Sequence, residues 1–128
     1  MSFVLDASAV LALILQEAGA PEVAARLHGA RLSTVNLSEV IAKLVDYGMA
    51  PSQARQQTER LDLDIRVFDP LHAELTAELR PMTRQLGLSL GDRACLALGM
   101  TSRLPVLTSD RRMAEAGQPL GIEIRLIR

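Results

Sequence analysis

The chain has 128 residues, of which 48% are hydrophobic, and a formal net charge of −1. This length suits one ordinary domain with a buried core, so residues 1–128 are expected to form a single domain. The near-neutral charge gives no overall electrostatic case for binding to nucleic acid or to an anionic membrane. The positive charge is almost all arginine, a side chain suited to bidentate phosphate contacts, so local arginine clusters remain candidates for such contacts.

The first twenty residues contain a short apolar run that enters Asp6 and a longer one after it. Residues 3–5 predict a buried strand, and residues 7–16 predict a helix packed on that strand. The segment AVLALIL followed by EAGA superficially resembles a secretory signal, but no basic stretch precedes it and Asp6 interrupts the apolar run. No stretch reaches the roughly 18 to 20 apolar residues of a membrane span. We therefore expect a cytoplasmic protein that does not contact a membrane.

Strands and helices are predicted to alternate through the rest of the first half. Pro21 begins a helix that Gly29 ends. A short strand then covers residues 32–35, a helix covers 36–48, and a polar-faced helix covers 51–61. This alternation is typical of a parallel sheet, in which each strand is followed by a helix.

The second half continues the same pattern. A strand over residues 64–69 is followed by a long helix over 70–87, which Pro81 is expected to kink. The last elements are a helix from about Gly91 to Thr101, a strand over 105–108, a short helix after Asp110 and a strand near 122–127. The only cysteine, Cys95, lies in the apolar run ACLALGM, which indicates a buried thiol in a reducing compartment. The whole pattern predicts an α/β fold with a central parallel sheet covered by helices on both faces.

Four acidic residues fall where predicted strands end or helices begin. Asp6 follows the first strand directly, and Asp110 follows the strand over 105–108. Glu39 is expected in the first turn of the helix after the second strand, and Asp92 at the start of a later helix. In open parallel sheets the ligand site lies at the carboxyl ends of the strands, so these acids are expected to meet at one edge of the sheet.

Each acid also has a purely structural explanation. Asp6 and Asp110 stand where helix N-caps are wanted. Ser89 with Asp92, and Asn36 with Glu39, have the spacing of a capping box, and this explanation makes Asn36 a cap. Glu39 is also spaced to pair with Lys43 one helical turn later.

As a set, the acids indicate a metal site. Four carboxylates at one edge would repel each other strongly at neutral pH unless a cation compensated them. Carboxylates without a neighbouring histidine or cysteine suit a hard divalent ion such as Mg²⁺ or Mn²⁺. Such ions promote phosphodiester hydrolysis by activating water and by stabilising the developing negative charge. Such a site should bind Mn²⁺ without denaturant-level rearrangement, so Mn²⁺ should raise the melting temperature.

The sequence resembles the PIN-domain ribonucleases and, within them, the VapC-type toxins of bacterial toxin–antitoxin pairs. The resemblance covers essentially the whole chain and is carried by VLDASAVLALIL, STVNLSEV, LSLGDRACLALG and VLTSDRRM. Ala7 departs from the family, which often has a hydroxyl residue there. On this resemblance the family's acidic quartet falls on Asp6, Glu39, Asp92 and Asp110.

The resemblance implies a PIN-like three-layer α/β/α sandwich, formed by residues 1–128 as a single nuclease domain. It further implies a Mg²⁺-dependent endoribonuclease in which Mn²⁺ can substitute, a cognate antitoxin as inhibitor, and a homodimer. In the mechanistic hypothesis Asp6, Asp92 and Asp110 hold one or two ions. Glu39 is then a further ligand or orients the attacking water.

Three arginines neighbour the acids and are candidates for contacts with RNA phosphates: Arg93, Arg111 and Arg112. Simple charge neutralisation of those acids is the alternative. Ser8 and Ser109 are candidates for hydrogen bonds to an acid, or for helix caps. Because Phe3, Tyr47 and Phe68 are the only aromatic residues, base stacking is not expected to dominate. The predicted substrate is structured RNA, read by shape and phosphates and cut at one or few sites.

The helices over 37–48 and 51–61 are candidates for the antitoxin surface. Leu37, Val40, Ile41, Leu44 and Val45 give the first helix a wide apolar stripe, which either accepts an antitoxin segment or packs in the core. The sequence is also compatible in part with two other functions. A receiver-type phosphoacceptor needs a paired acid at the first strand and a lysine after a late strand, whereas Lys43 lies in a different element. A catalytically inactive PIN-like interaction module remains the alternative.

Overall fold

The computed structural model describes residues 1–128 and contains one five-stranded sheet in the order β3-β2-β1-β4-β5. All neighbouring strands are parallel. The strands are short: β1 (Val4–Leu5), β2 (Arg31–Ser33), β3 (Asp64–Arg66), β4 (Val106–Thr108) and β5 (Ile124–Leu126). The predicted alternation of strands and helices is therefore present.

Nine helices connect and cover the strands. They are α1 (Ala7–Leu15), α2 (Ala20–Ala24), α3 (Thr34–Asp46), α4 (Pro51–Glu59), α5 (Pro70–Glu78), α6 (Arg80–Thr83), α7 (Leu90–Ser102), α8 (Arg111–Glu115) and α9 (Gly117–Leu120). None of them combines the length and the apolar content that crossing a membrane requires.

Each face of the sheet carries its own hydrophobic core, because successive residues of a strand point to opposite faces. Leu5 and Leu107 are buried in a core that includes residues of α1, α2, α3 and α4. Val4 and Val106, their neighbours in the same strands, are buried in a second core built mainly from α7 and α8. The prediction of a three-layer α/β/α sandwich with a central parallel sheet is confirmed.

The strand order creates a switch point between β1 and β4. The chain runs from the central strand β1 outward to β2 and β3, and then returns to the other side of β1 with β4 and β5. Leu5 of β1 is in register with Leu107 of β4, so the two strands end within one residue of the same level. In parallel sheets the connections that leave such a point diverge to opposite faces and leave a crevice for a ligand. Asp6 and Asp110 follow the two strands that form this crevice.

The first difference from the prediction concerns the start of α3. Ser33 is the N-cap, with its side chain accepting from the amide of Val35, and the helix begins at Thr34. The strand predicted over 32–35 therefore ends two residues earlier. As a consequence Asn36 is inside the helix and is not a cap, and Glu39 lies in the second turn instead of the first.

The second difference concerns the long helix predicted over 70–87. It ends at Glu78, and a separate short helix, α6, begins at Arg80 with Pro81 in its first turn. Proline lacks an amide hydrogen and clashes with the carbonyl four residues earlier, so it breaks the helix here instead of only kinking it. The strand before it ends at Arg66, because the amide of Phe68 donates to the Thr34 hydroxyl and Asp69 already caps α5.

Candidate functional site

Asp6 is the buried acid at the carboxyl end of β1, and only 4% of its surface is exposed. It is the N-cap of α1, which confirms its structural explanation. Its Oδ1 accepts from the amide of Ala9 at 2.9 Å and from the Ser8 hydroxyl at 2.7 Å. Its Oδ2 accepts from the Thr108 hydroxyl at 2.5 Å. Three donors therefore fix both carboxylate oxygens, which is more than a cap alone requires.

The same two hydroxyl groups connect Asp6 to the segment that follows β4. The Ser8 hydroxyl accepts from the amide of Ser109 at 2.9 Å, and the Thr108 hydroxyl accepts from the amide of Asp110 at 3.0 Å. The prediction that Ser8 bonds an acid is confirmed. Thr108 was missed by sequence reasoning, although its position two residues before Asp110 is a weak signal. The two connections of the switch point are thus tied together through Asp6.

The environment of Asp6 changes its acidity. Burial raises the pKa of its carboxyl group from the ordinary 3.8 to about 6, because a charge is poorly solvated in the interior. Hydrogen bonds from Thr108, Ser8 and Ala9 act in the opposite direction, and the negative charge of Asp92 adds to the increase. Perturbed pKa values of this origin are frequent at functional sites.

Asp110 is the N-cap of α8, and Asp92 is the N3 residue of a capping box whose N-cap is Ser89, as their structural explanations predicted. Asp92 forms a capping box at the start of α7, in which its Oδ2 accepts from the amide of Ser89 at 2.9 Å. Asp110 caps α8, and its Oδ1 accepts from the amide of Arg112 at 2.9 Å. In each carboxylate the other oxygen makes no hydrogen bond within the protein. The cap and a ligand role are therefore compatible.

Glu39 projects from α3 towards the start of α7. Its Oε1 accepts from the Asn36 side-chain amide at 2.7 Å, and the same amide nitrogen donates to the carbonyl of Gly91 at 3.0 Å. A Cβ atom at Gly91 would overlap the Glu39 carboxyl group. The predicted pairing with Lys43 is absent, since none of the ion pairs includes that lysine.

The buried thiol of Cys95 indicates how the acids are grouped. Burial raises its pKa well above the ordinary value, and the charges of Asp6, Asp92 and Glu39 add to the increase. Asp6, Glu39 and Asp92 are therefore all near enough to this buried thiol for their charges to act on it. Asp110 joins this group through Thr108, whose hydroxyl bridges it to Asp6.

The chemistry of these residues suits a hard divalent ion. As they stand, no three histidine, cysteine, aspartate or glutamate side chains are positioned together to hold a metal ion. The carboxylate oxygens of Asp92, Asp110 and Glu39 that make no hydrogen bond within the protein are the oxygen donors that Mg²⁺ or Mn²⁺ prefers. The expectation that the site binds Mn²⁺ without denaturant-level rearrangement stays a prediction.

The three candidate arginines differ in position. Arg93 is half-buried and donates to the carbonyl of Thr76 at 3.0 Å, so its guanidinium group lies against α5. Arg111 is exposed. The Arg112 side chain is 63% exposed, with Nε at 3.7 Å from Asp110 Oδ1. An exposed pair of this length contributes little to stability, which leaves Arg111 and Arg112 free to meet an anionic ligand.

An apolar cleft of about 320 Å³ lies between α3, α4 and β3. Leu37 and Ile41 of α3 line it with Ile65 of β3, whereas Val40 and Leu44 of the same helix are fully buried in the core. The apolar stripe predicted for this helix therefore divides into two parts. Part of it packs in the core, and part of it faces an open cleft.

Residues 3–119 match the family model described as "PIN domain". No curated protein matches the chain. A toxin–antitoxin complex from Klebsiella pneumoniae contains a chain with 20% identity and a TM-score of 0.74, over 99% of this chain and 98% of that one. A chain of the DNA-bound VapBC complex from Salmonella typhimurium has 20% identity and a TM-score of 0.77, over 100% of this chain and 99% of that one. A chain of VapBC-5 from Mycobacterium tuberculosis has 22% identity and a TM-score of 0.63, over 99% of this chain and 98% of that one.

Proposed function

The chain belongs to the PIN-domain family, and we propose that it is a Mg²⁺-dependent endoribonuclease, the toxin of a toxin–antitoxin pair, formed by residues 1–128 as one nuclease domain. Nucleases of this family generally use divalent metal ions. The toxin assignment is supported by the similar structures, which come from toxin–antitoxin and VapBC complexes. The observation that carries the nuclease assignment is the buried Asp6 at the switch point of the sheet.

A comparison with Asp69 explains why Asp6 carries this weight. Asp69 caps α5 with the same extended backbone and accepts from the amide three residues later, as Asp6 does in α1. Asp69 is exposed, however, whereas Asp6 is buried and held by two hydroxyl groups. Burying a carboxylate destabilises its charged form, and a cap does not need that burial. A metal-binding role of Asp6 would explain why the protein tolerates this destabilisation.

We assign Asp6, Asp92 and Asp110 as the residues that hold the metal, with Mn²⁺ able to replace Mg²⁺. A bound divalent ion lowers the pKa of water and stabilises negative charge on phosphate oxygens. The hydroxyl contacts would hold Asp6 in place as a ligand, and the oxygens of Asp92 and Asp110 that make no hydrogen bond would be available to the ion. Glu39 presents Oε2, which makes no hydrogen bond within the protein, and it acts as a further ligand or orients the attacking water.

We propose structured RNA, cut at one or few sites, as the substrate. The chain has a net charge of −1 and few aromatic side chains, so it lacks the basic stacking groove of a general single-strand nuclease. Exposed Arg111 and Arg112, beside Asp110, are the strongest candidates for phosphate contacts. Arg93 stays a weaker candidate, because it must first leave the Thr76 carbonyl.

The cognate antitoxin is proposed to occupy the cleft between α3 and α4. Half-buried Leu37 and Ile41 offer an apolar seat there, suited to an amphipathic or extended segment. Hydrogen exchange with and without antitoxin checks this assignment, and unchanged protection across residues 37–61 contradicts it. A homodimer is the expected state of the toxin, which sedimentation of the isolated chain would test.

The decisive experiment is RNA cleavage with and without Mg²⁺ by the wild type, Asp6→Asn and Asp69→Asn. Asparagine is a good N-cap, so both variants keep their helices and differ only in which carboxylate is lost. We expect Mg²⁺-dependent cleavage by the wild type and by Asp69→Asn, and almost none by Asp6→Asn. Equal cleavage by all three proteins at saturating Mg²⁺ contradicts the metal role of Asp6.

A catalytically inactive PIN-like interaction module is the second candidate. One observation favours it: no three acids are positioned for a metal as they stand. This function predicts no cleavage under any divalent ion, and no increase of the melting temperature at millimolar Mn²⁺. The nuclease function predicts the opposite of both, because a ligand that binds the native state stabilises it.

A further inference from the structure

Asn36 is a polar side chain at a position where α3 faces the interior, with only 1% of its surface exposed. Since Ser33 already caps this helix, Asn36 is not needed for that purpose. A buried amide costs stability unless its hydrogen-bonding groups are satisfied. Its contacts therefore decide what the residue does.

Both known contacts of the Asn36 amide nitrogen lead to the acidic site. Nδ2 donates to Glu39 Oε1 at 2.7 Å and to the carbonyl of Gly91 at 3.0 Å. These acceptors fix the orientation of the amide, because the flipped form would place an oxygen against a carboxylate and a carbonyl. Asn36 thus joins α3 to the first turn of α7 and holds the carboxylate of Glu39 between them.

Gly91 contributes to this arrangement because it has no Cβ atom. It is the second residue of α7, next to Asp92, and a Cβ atom there would overlap the carboxyl group of Glu39. The missing side chain lets the carboxylate lie against the N-terminal turn of a 13-residue helix, where the helix dipole favours negative charge. Glu39 is otherwise exposed, with a long side chain that would sample many rotamers.

The other end of the Asn36 amide argues against a purely structural role. Oδ1 is buried and has no hydrogen-bond partner, and an unsatisfied buried acceptor destabilises a protein. An apolar residue of similar size would avoid this penalty. Buried polar groups that are incompletely satisfied are often kept for function.

We infer that Asn36 is a positioning residue that, together with the space at Gly91, fixes the Glu39 carboxylate beside Asp92. The inference rests on the proposed nuclease function, in which Glu39 binds the ion or orients water. Asn36 itself touches neither substrate nor metal in this role. It acts only through Glu39.

A double-mutant cycle tests this dependence. Asn36→Leu removes the donor while keeping the branching at Cγ, and is expected to lower kcat roughly tenfold, the effect of losing one charge-assisted hydrogen bond, with KM for RNA unchanged. In a Glu39→Ala background the same substitution should have no further effect. An equal loss in both backgrounds, or no loss in either, overturns the inference.

Two further variants separate positioning from folding. Gly91→Ala pushes the Glu39 carboxylate away instead of releasing it, so it should lower kcat while the melting temperature stays the same or rises, since alanine favours helix. Thr83→Val is the matched control: it also removes a buried hydrogen-bonding side chain from a helix, where Thr83 donates to the Leu79 carbonyl and makes no hydrogen bond to any of the four acids. It should leave kcat unchanged.

A measurement that does not depend on cleavage completes the test. Calorimetric titration with Mn²⁺ should give several-fold weaker binding for Asn36→Leu than for Thr83→Val, because a displaced carboxylate no longer adds its charge to the site. If the wild type cuts no RNA, the proposed function fails, and this titration still decides the inference. Equal Mn²⁺ affinities of the two variants would then overturn it.

Discussion

Asp6 and Glu39 lie at the same end of the sheet but are held in opposite ways. Asp6 is buried and accepts hydrogen bonds from a backbone amide and from hydroxyl groups on two different connections. Glu39 is exposed and is held by one side chain, Asn36. The first position is therefore determined by the fold itself, whereas the second depends on a single contact. Substitutions should affect the two acids to different degrees.

The largest expected effect is the difference in activity between Asp6→Asn and Glu39→Gln. Asp6→Asn should lower kcat by roughly 100-fold or more, because several kcal/mol of transition-state stabilisation depend on the metal. Glu39→Gln should cost roughly tenfold, the size of a contribution to water orientation. Cleavage of one RNA at saturating Mg²⁺ measures both. A greater loss for Glu39→Gln would reverse the proposed ranking.

The second prediction concerns stability and pH, and it applies to Asp6 alone. Since its pKa in the native state is about 6 and its ordinary value is 3.8, the unfolded chain loses its proton first as the pH rises. Protonated Asp6 therefore stabilises the folded protein fully below pH 3.8, and this stabilisation is lost as the pH rises through about 6. The free energy of unfolding changes by roughly 3 kcal/mol in total, at about 1.4 kcal/mol for each pKa unit of the shift.

Urea denaturation of the wild type and Asp6→Asn at pH 4 and at pH 7.5, without divalent ions, measures this loss. The free energy of unfolding of the wild type, relative to that of Asp6→Asn, should be lower at pH 7.5 than at pH 4. A difference between the two proteins that does not change with pH would contradict the raised pKa. Millimolar Mn²⁺ should restore stability to the wild type at pH 7.5 and not to the variant.

The third prediction removes one of the hydroxyl contacts that distinguish Asp6. Thr108→Val keeps the shape of the side chain but removes the donor to Asp6 Oδ2 and the acceptor of the Asp110 amide. It should destabilise the protein by roughly 1–3 kcal/mol, because buried groups are left unpaired, and raise the pKa of Asp6 further. Thr108→Ser, which retains the hydroxyl group, is the control. Identical pH profiles for the two variants would exclude this role of the hydroxyl.

The two acids also differ in how well sequence predicted their surroundings. The alternation of strands and helices and the meeting of acids at one edge follow from local patterns and from the rules of parallel sheets. Thr108 was missed because its partner, Asp6, is 102 residues away. The sequence predicts Asn36 as a cap because an asparagine three residues before a glutamate has the spacing of a capping box. Two residues on one face inside a helix have the same spacing. Only the position of Ser33, which caps α3, distinguishes the two explanations.

The smallest expected effect lies outside both acids, at exposed Arg112. Its side chain is only loosely associated with Asp110, so Arg112→Ala should leave stability nearly unchanged. If Arg112 contacts one phosphate, RNA binding weakens and the slope of log affinity against log salt falls by roughly 0.7 to 0.9, while the cleavage position stays the same. Arg26→Ala, which removes an arginine paired with Glu22 in α2, is the control. Equal salt slopes for the two variants would mean that Arg112 only neutralises Asp110. A shifted cleavage position would mean that Arg112 helps to select the cleavage site and does not only bind a phosphate.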